Sequence, residues 1–186
     1  MPIDPDIFPT VRERIIEAVI DRIGPDGIVP DVISLLRNGD DDSEGKYAKV
    51  GATAGKGVVV MLFEGDDEAS PMSEQNNTFD EFVFMLDVIQ YIDDEIAVQN
   101  GLSLPELAQY RHALIVNAAT AVITDGNGNV TEYRYRWNNL ALETNVVGGG
   151  SLGLHPMPGN AGSVPGVITT LRIRYRHAYG KPGVVA

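Results

Sequence analysis

Hydrophobic positions recur at helical spacing soon after the chain begins. Val11, Ile15, Ile16, Val19, Ile20 and Ile23 fall on one face, with Thr10 and Glu13 placed as a T-x-x-E capping box ahead of them. The pattern predicts an amphipathic helix over 11–23, stopped by Gly24 and Pro25. Between Gly27 and Arg37 the apolar positions are looser and predict a short strand or a turn plus strand. Val58 to Glu64 (VVVMLFE) is β-branched at its start and too short for a stable helix, so it predicts a buried strand. In the stretch from Thr78 to Ile92, Phe82, Phe84, Leu86 and Val88 alternate while Val83, Met85 and Ile89 fill the opposite side. That pattern predicts a long strand buried on much of both faces, with a helix as the alternative.

Ser103 and Glu106 form a second capping box, and Pro105 suits a first helical turn. Leu107, Tyr110, Leu114, Ala118 and Ala121 predict the stripe of a second helix, ended by the turn cluster Asp125–Asn129. Tyr133, Tyr135 and Trp137 alternate with Arg134 and Arg136, which predicts a strand. Gly148 to Gly166 carries seven glycines and three prolines and reads as a long loop. Thr169 to Tyr179 closes the chain as a strand, with Leu171, Ile173 and Tyr175 on one face and Arg172, Arg174 and Arg176 on the other. The order helix, strands, helix, strands predicts an α+β fold: a mixed or antiparallel sheet packed by two main helices. One domain spans 1–186, with loops near 38–57, 65–77 and 144–166.

Charge changes this picture more than size does. The chain carries 26 acids against 14 bases, a formal net charge of −12, and its mean field repels phosphates. It has no cysteine, which removes disulfides, thiolate metal sites and a cysteine nucleophile. The start, MPIDPDIFPT, has neither the basic nor the apolar region of a secretory signal. The longest apolar run is Val58–Phe63, so the expectation is a soluble protein made in a cytoplasm. Every acid lies at or before Glu143, and the last 43 residues hold four bases and no acid. Such polarity suits a subunit that meets copies of itself or a charged neighbour.

Motifs for bond chemistry fail on their context. Gly149-Gly150-Ser151-Leu152-Gly153 matches G-x-S-x-G, but prolines follow at 156 and 158. No acid follows the serine to complete the Ser, Asp/Glu, His order. Gly51–Gly57 (GATAGKG) imitates a phosphate loop, yet Gly57 stands where Ser or Thr should hold magnesium and a strand follows where a helix is required. Asp125, Asn127 and Asn129 imitate the start of a calcium loop, with Val130 and Arg136 in place of its glycine and glutamate. His112, His155 and His177 share no metal-ligand spacing. No catalytic, cofactor or metal residue is expected.

The candidate subunit or partner interface consists instead of charged residues. Arg172, Arg174 and Arg176 form a positive row with alternate side chains ~6.6 Å apart. Asp40, Asp41 and Asp42, with Asp66, Asp67 and Glu68, form two acidic loop clusters. The row pairs either with acids on a neighbouring strand of its own chain or with acids of a second subunit.

Taken in order, the capped helix (Thr10 to Ile23), GVVVMLFEGDDE, TFDEFVFMLDVIQYID, the helix from Ser103 and TTLRIRYRHAYGKP resemble the tail terminator proteins of long-tailed bacteriophages. The resemblance implies a non-enzymatic virion protein without cofactors, a homo-hexameric ring that caps the tail tube and stops its growth. It implies as partners the chain itself, the tail tube protein, a neck or head-completion protein and, if the tail is contractile, the sheath. DNA would pass through the lumen without specific binding, and assembly would take place in the host cytoplasm. Another neck protein of the head–tail connector, such as a stopper or adaptor, is the alternative within the same class.

Overall fold

The computed structural model describes residues 3–38, 57–70, 78–156 and 162–186. Helix α1 (Val11–Ile23) starts where expected, the Thr10 hydroxyl accepting the Glu13 amide at 3.1 Å. Only half of that capping box forms, because the Glu13 carboxylate is drawn to Arg37 instead. Gly24 ends the helix in an extended conformation. A Cβ there would lie 2.6 Å from the Ile20 carbonyl oxygen, so space requires this glycine.

The strands follow as β1 (Val32–Arg37), β2 (Val58–Glu64), the short β3 (Glu68–Ala69) and β4 (Phe79–Tyr91). A short helix α2 (Asp94–Gln99) precedes α3 (Leu104–Thr120), and Glu106 accepts both the amide and the hydroxyl of Ser103, as expected of a cap. The chain then forms β5 (Val122–Thr124), β6 (Val130–Tyr133), β7 (Ala141–Pro156), β8 (Ser163–Ala178) and β9 (Lys181–Val185). This is an α+β fold, a mixed sheet of seven strands with two main helices. The sheet runs β1-β2-β4-β8-β7, with β3 added to β4 and β9 to β8. Among the described residues only β1 and β2 pair in parallel; β5 and β6 form a separate hairpin.

The register explains the layers. Phe84 faces Ile173 and Leu86 faces Leu171 across β4 and β8, and this side of the sheet meets the buried faces of α1, α2 and α3 in one core. Ile15, Ile16, Val19 and Ile23 are fully buried there, each contributing roughly 1.5–3 kcal/mol relative to exposure. The opposite side carries a smaller cluster of Leu36, Val59, Met61, Ile89 and Tyr91, and beyond it the arginine row.

Four expectations are corrected. The α3 stripe is rotated: Leu107, Ala108, Arg111, Ile115, Ala118 and Ala119 are buried, whereas Tyr110 is 45% exposed. Arg111 sits in the buried face because its guanidinium donates to Gln90 Oε1 at 2.9 Å and to the Pro30 carbonyl at 2.7 Å, which offsets its desolvation. The Asp125–Asn129 cluster turns the β5–β6 hairpin, α3 having ended at Thr120. The Tyr133–Trp137 alternation is not a strand. Residues 134–136 form a 3-10 turn, and Trp137, left-handed at φ 43°, is fully buried with its Nε1–H on the Thr144 hydroxyl.

The fourth correction concerns the glycine-rich segment. Residues 144–156 continue β7, and β8 begins at Ser163, six residues before Thr169. Gly148 to Leu152 stay in the ladder through bulges, which absorb extra residues without ending the pairing. Gly149 adopts φ 124°, and a Cβ there would stand 2.2 Å from the Ile168 carbonyl oxygen; only glycine permits that approach. Residues 39–56, 71–77 and 157–161, parts of the expected loops, lie outside the described residues.

Candidate subunit interface

Strand β8 sets the arginine row. Its alternate residues Leu171, Ile173 and Tyr175 are buried under the helices, which turns Arg172, Arg174 and Arg176 to the side of the sheet away from them. Opposite this row, β4 contributes Glu81, Val83 and Met85, and β7 contributes Glu143 and Asn145. Glu81 is the centre of the arrangement. Its side chain is fully buried, accepts from Arg176 Nε at 2.6 Å and from the Ser70 hydroxyl at 2.8 Å, and lies 3.6 Å from Arg174. Arg174 also reaches Glu143 at 3.0 Å. Burial alone would raise the Glu81 pKa, but the hydrogen bonds from Ser70 and Arg176 and the charges of both arginines outweigh it and hold it below the usual carboxylate value.

Two arginines of the row are therefore committed within the chain. Arg172 differs: it is exposed, faces Met85 and Asn145, and has no ion pair among the described residues. With Arg174, Glu143, Ser70 and Glu68 it lines a shallow cleft of about 210 Å³. Of the acidic candidates, Glu68 and Asp66 are exposed. Asp67 pairs with Arg12 at 3.2 Å and, next to burial, helps push the Tyr175 hydroxyl pKa upward. Asp40, Asp41 and Asp42 lie outside the described residues.

A second ladder ties α1 to the sheet. Arg37 bridges Glu13 and Glu64, while Arg12 meets Glu64 at 3.5 Å and the Gly65 carbonyl at 2.6 Å, its guanidinium 4.8 Å above the Phe84 ring centre. The Arg37 hydrogen bonds lower the Glu13 pKa against its burial. A third joins α1 to the β5–β6 hairpin: Arg22 pairs with Glu132 at 2.9 Å, donates to the Arg134 carbonyl and stacks 4.9 Å over Trp137.

The remaining motifs are dispersed. Ser151 is exposed within β7, in a strand and not at a strand-to-helix turn, while the ring beside the motif, His112, is bound to Thr169 Oγ1 at 2.8 Å. Gly51 to Lys56 lie outside the described residues, and Gly57 leads straight into β2. Asp125 accepts the amides of Asn127 at 2.8 Å and Asn129 at 2.9 Å, so its oxygens are engaged in closing the turn. His177 stacks on Phe82 at 5.3 Å and lies 3.6 Å from Asp80, far in the fold from His112 on α3. Among the described residues no three His, Cys, Asp or Glu side chains gather as a metal site, and no helix is long and apolar enough to cross a membrane.

Sequence reasoning missed two features. Glu81 is an acid inside an apolar alternation, and only the register reveals that it pairs with Arg174 and Arg176. The edge strand β7 was hidden by its glycines. Compared with protein-family models and with curated proteins, the chain matches none.

Proposed function

We propose that this chain is a structural subunit of a bacteriophage tail, a terminator that forms a ring on the tail tube, stops its polymerisation and presents a surface to the head. The observation that carries the reading is the element order: a long capped helix, strands, a second long capped helix and the arginine-bearing strand β8 near the end, in the order of the tail terminators the sequence resembles. The layering supports it, since the three helices among the described residues pack on one side of the sheet and leave a charged side and an open edge for neighbours.

The ring is a homo-hexamer built from head-to-tail contacts whose rotation closes. Its partners are the tube protein below, a neck or head-completion protein above and, in a contractile tail, the sheath. A net charge of −12 lets DNA pass without adhering, because the acidic lumen repels the polyanion. Electron microscopy of particles assembled without the protein tests this. Overlong tails are expected; heads that leak DNA beside tails of normal length would assign the chain to a neck stopper, and unchanged particles would refute both roles.

A further inference from the structure

We propose that the open edge of β7 is where the next copy of this chain docks. The proposal rests on the ring reading for the identity of the neighbour, and on the structure for the place.

Among the described residues β7 is the terminal strand of the sheet and pairs only with β8. No backbone–backbone hydrogen bond among these residues joins β7 to a strand other than β8, and at its end the Pro156 carbonyl accepts the Tyr91 hydroxyl at 2.8 Å. Sixteen residues at ~3.3 Å each make that edge roughly 50 Å long. Such edges are commonly guarded by charge or by proline. Here the acid Glu143 is paired to Arg174, residues 144–156 hold no Asp, Glu, Lys or Arg, and Pro156 stands only at the end. Val147, Leu152 and Leu154 are 50%, 37% and 71% exposed along it.

Charge selects the occupant. Two copies with a net charge of −12 repel over most of their surfaces. The acid-free part of the chain removes that repulsion, and Arg172, exposed on β8 opposite Asn145 of β7, adds an attraction for acids. A neighbour turned so that its acid-bearing first 143 residues face this edge is complementary in sign, and that contact is head-to-tail, as a ring requires. A partner segment along the full edge, with sheet layers ~10 Å deep, would cover on the order of 1,000 Å² over both copies, the lower bound of a specific interface.

The test is the oligomeric state, by light scattering and native mass spectrometry, of the wild-type chain, the double variant Val147→Glu/Leu154→Glu, and Arg172→Gln. The substituted side chains are exposed, so thermal unfolding of the variants should stay close to wild type and show that they fold. Assembly of the double variant should need at least about 10-fold more protein, and Arg172→Gln should weaken it less, with a reduced salt dependence. Variants that assemble like wild type would overturn the edge proposal and leave the ring reading intact. A wild-type assembly of only two copies, abolished by the double variant, would support the edge and refute the ring. A wild-type chain that stays monomeric would overturn both.

Discussion

Neutralising Glu81 tests the central ion cluster of the sheet. Glu81→Gln keeps the shape and an acceptor for Ser70 but removes the charge shared by Arg176 at 2.6 Å and Arg174 at 3.6 Å. A hydrogen bond to a charged group contributes about 1.5–3 kcal/mol against ~1 kcal/mol for a neutral one. The two guanidiniums are 30% and 38% exposed, so solvent screens them and holds the loss near the lower end, about 2 kcal/mol. At this chain length that lowers Tm by about 4–8 °C. The pH dependence identifies the cause. The folded pKa of Glu81 lies below its ordinary 4.5, so its contribution is fully present above 4.5 and is lost as pH falls through the folded value. In urea titrations the gap between wild type and variant should be constant from about pH 5 to 7 and shrink below about pH 4.5. A loss under about 0.5 kcal/mol at neutral pH, or a gap of the same size at about pH 3.5, would refute the reasoning.

Other perturbations separate structural positions from tolerant ones. Gly149→Ala should destabilise by about 2–4 kcal/mol through its left-handed backbone and the Ile168 contact, whereas Gly148→Ala, with open space around it, should stay within about 0.5 kcal/mol in the same titration. Thr144→Val should cost about 2–3 kcal/mol, because Trp137 Nε1–H and the Tyr135 carbonyl both lose their partner. A melting temperature indifferent to millimolar calcium or chelator is expected, since the Asp125 oxygens already hold the turn amides; a calcium-dependent rise would contradict that assignment.

Local periodicity made much of this fold legible. α1, β2 and β4 follow their spacing because each buries a broad apolar face, and the Ser103 cap sits one residue before α3. Where backbone chemistry competes with tertiary contacts, the sequence misleads. Seven glycines and three prolines read as loop, yet β8 supplies partners that hold Gly148–Gly150 in a bulged strand. Arg111 is not among the residues of the predicted α3 stripe, but Gln90 and Pro30, both remote in sequence, let it face the core. Burial lowers its pKa to about 10, still charged at neutral pH. Of the candidate interface, the row itself was legible from alternation. That Glu81 neutralises Arg174 and Arg176 depends on the β4–β8 register, which no local pattern encodes.

Native mass spectrometry of the purified wild-type chain at about 50 µM bears most directly on the claim that it is a ring-forming structural subunit, since assembly follows mass action. One closed species of six copies is the expected result. Monomer alone, or an unbounded ladder of sizes, would contradict it.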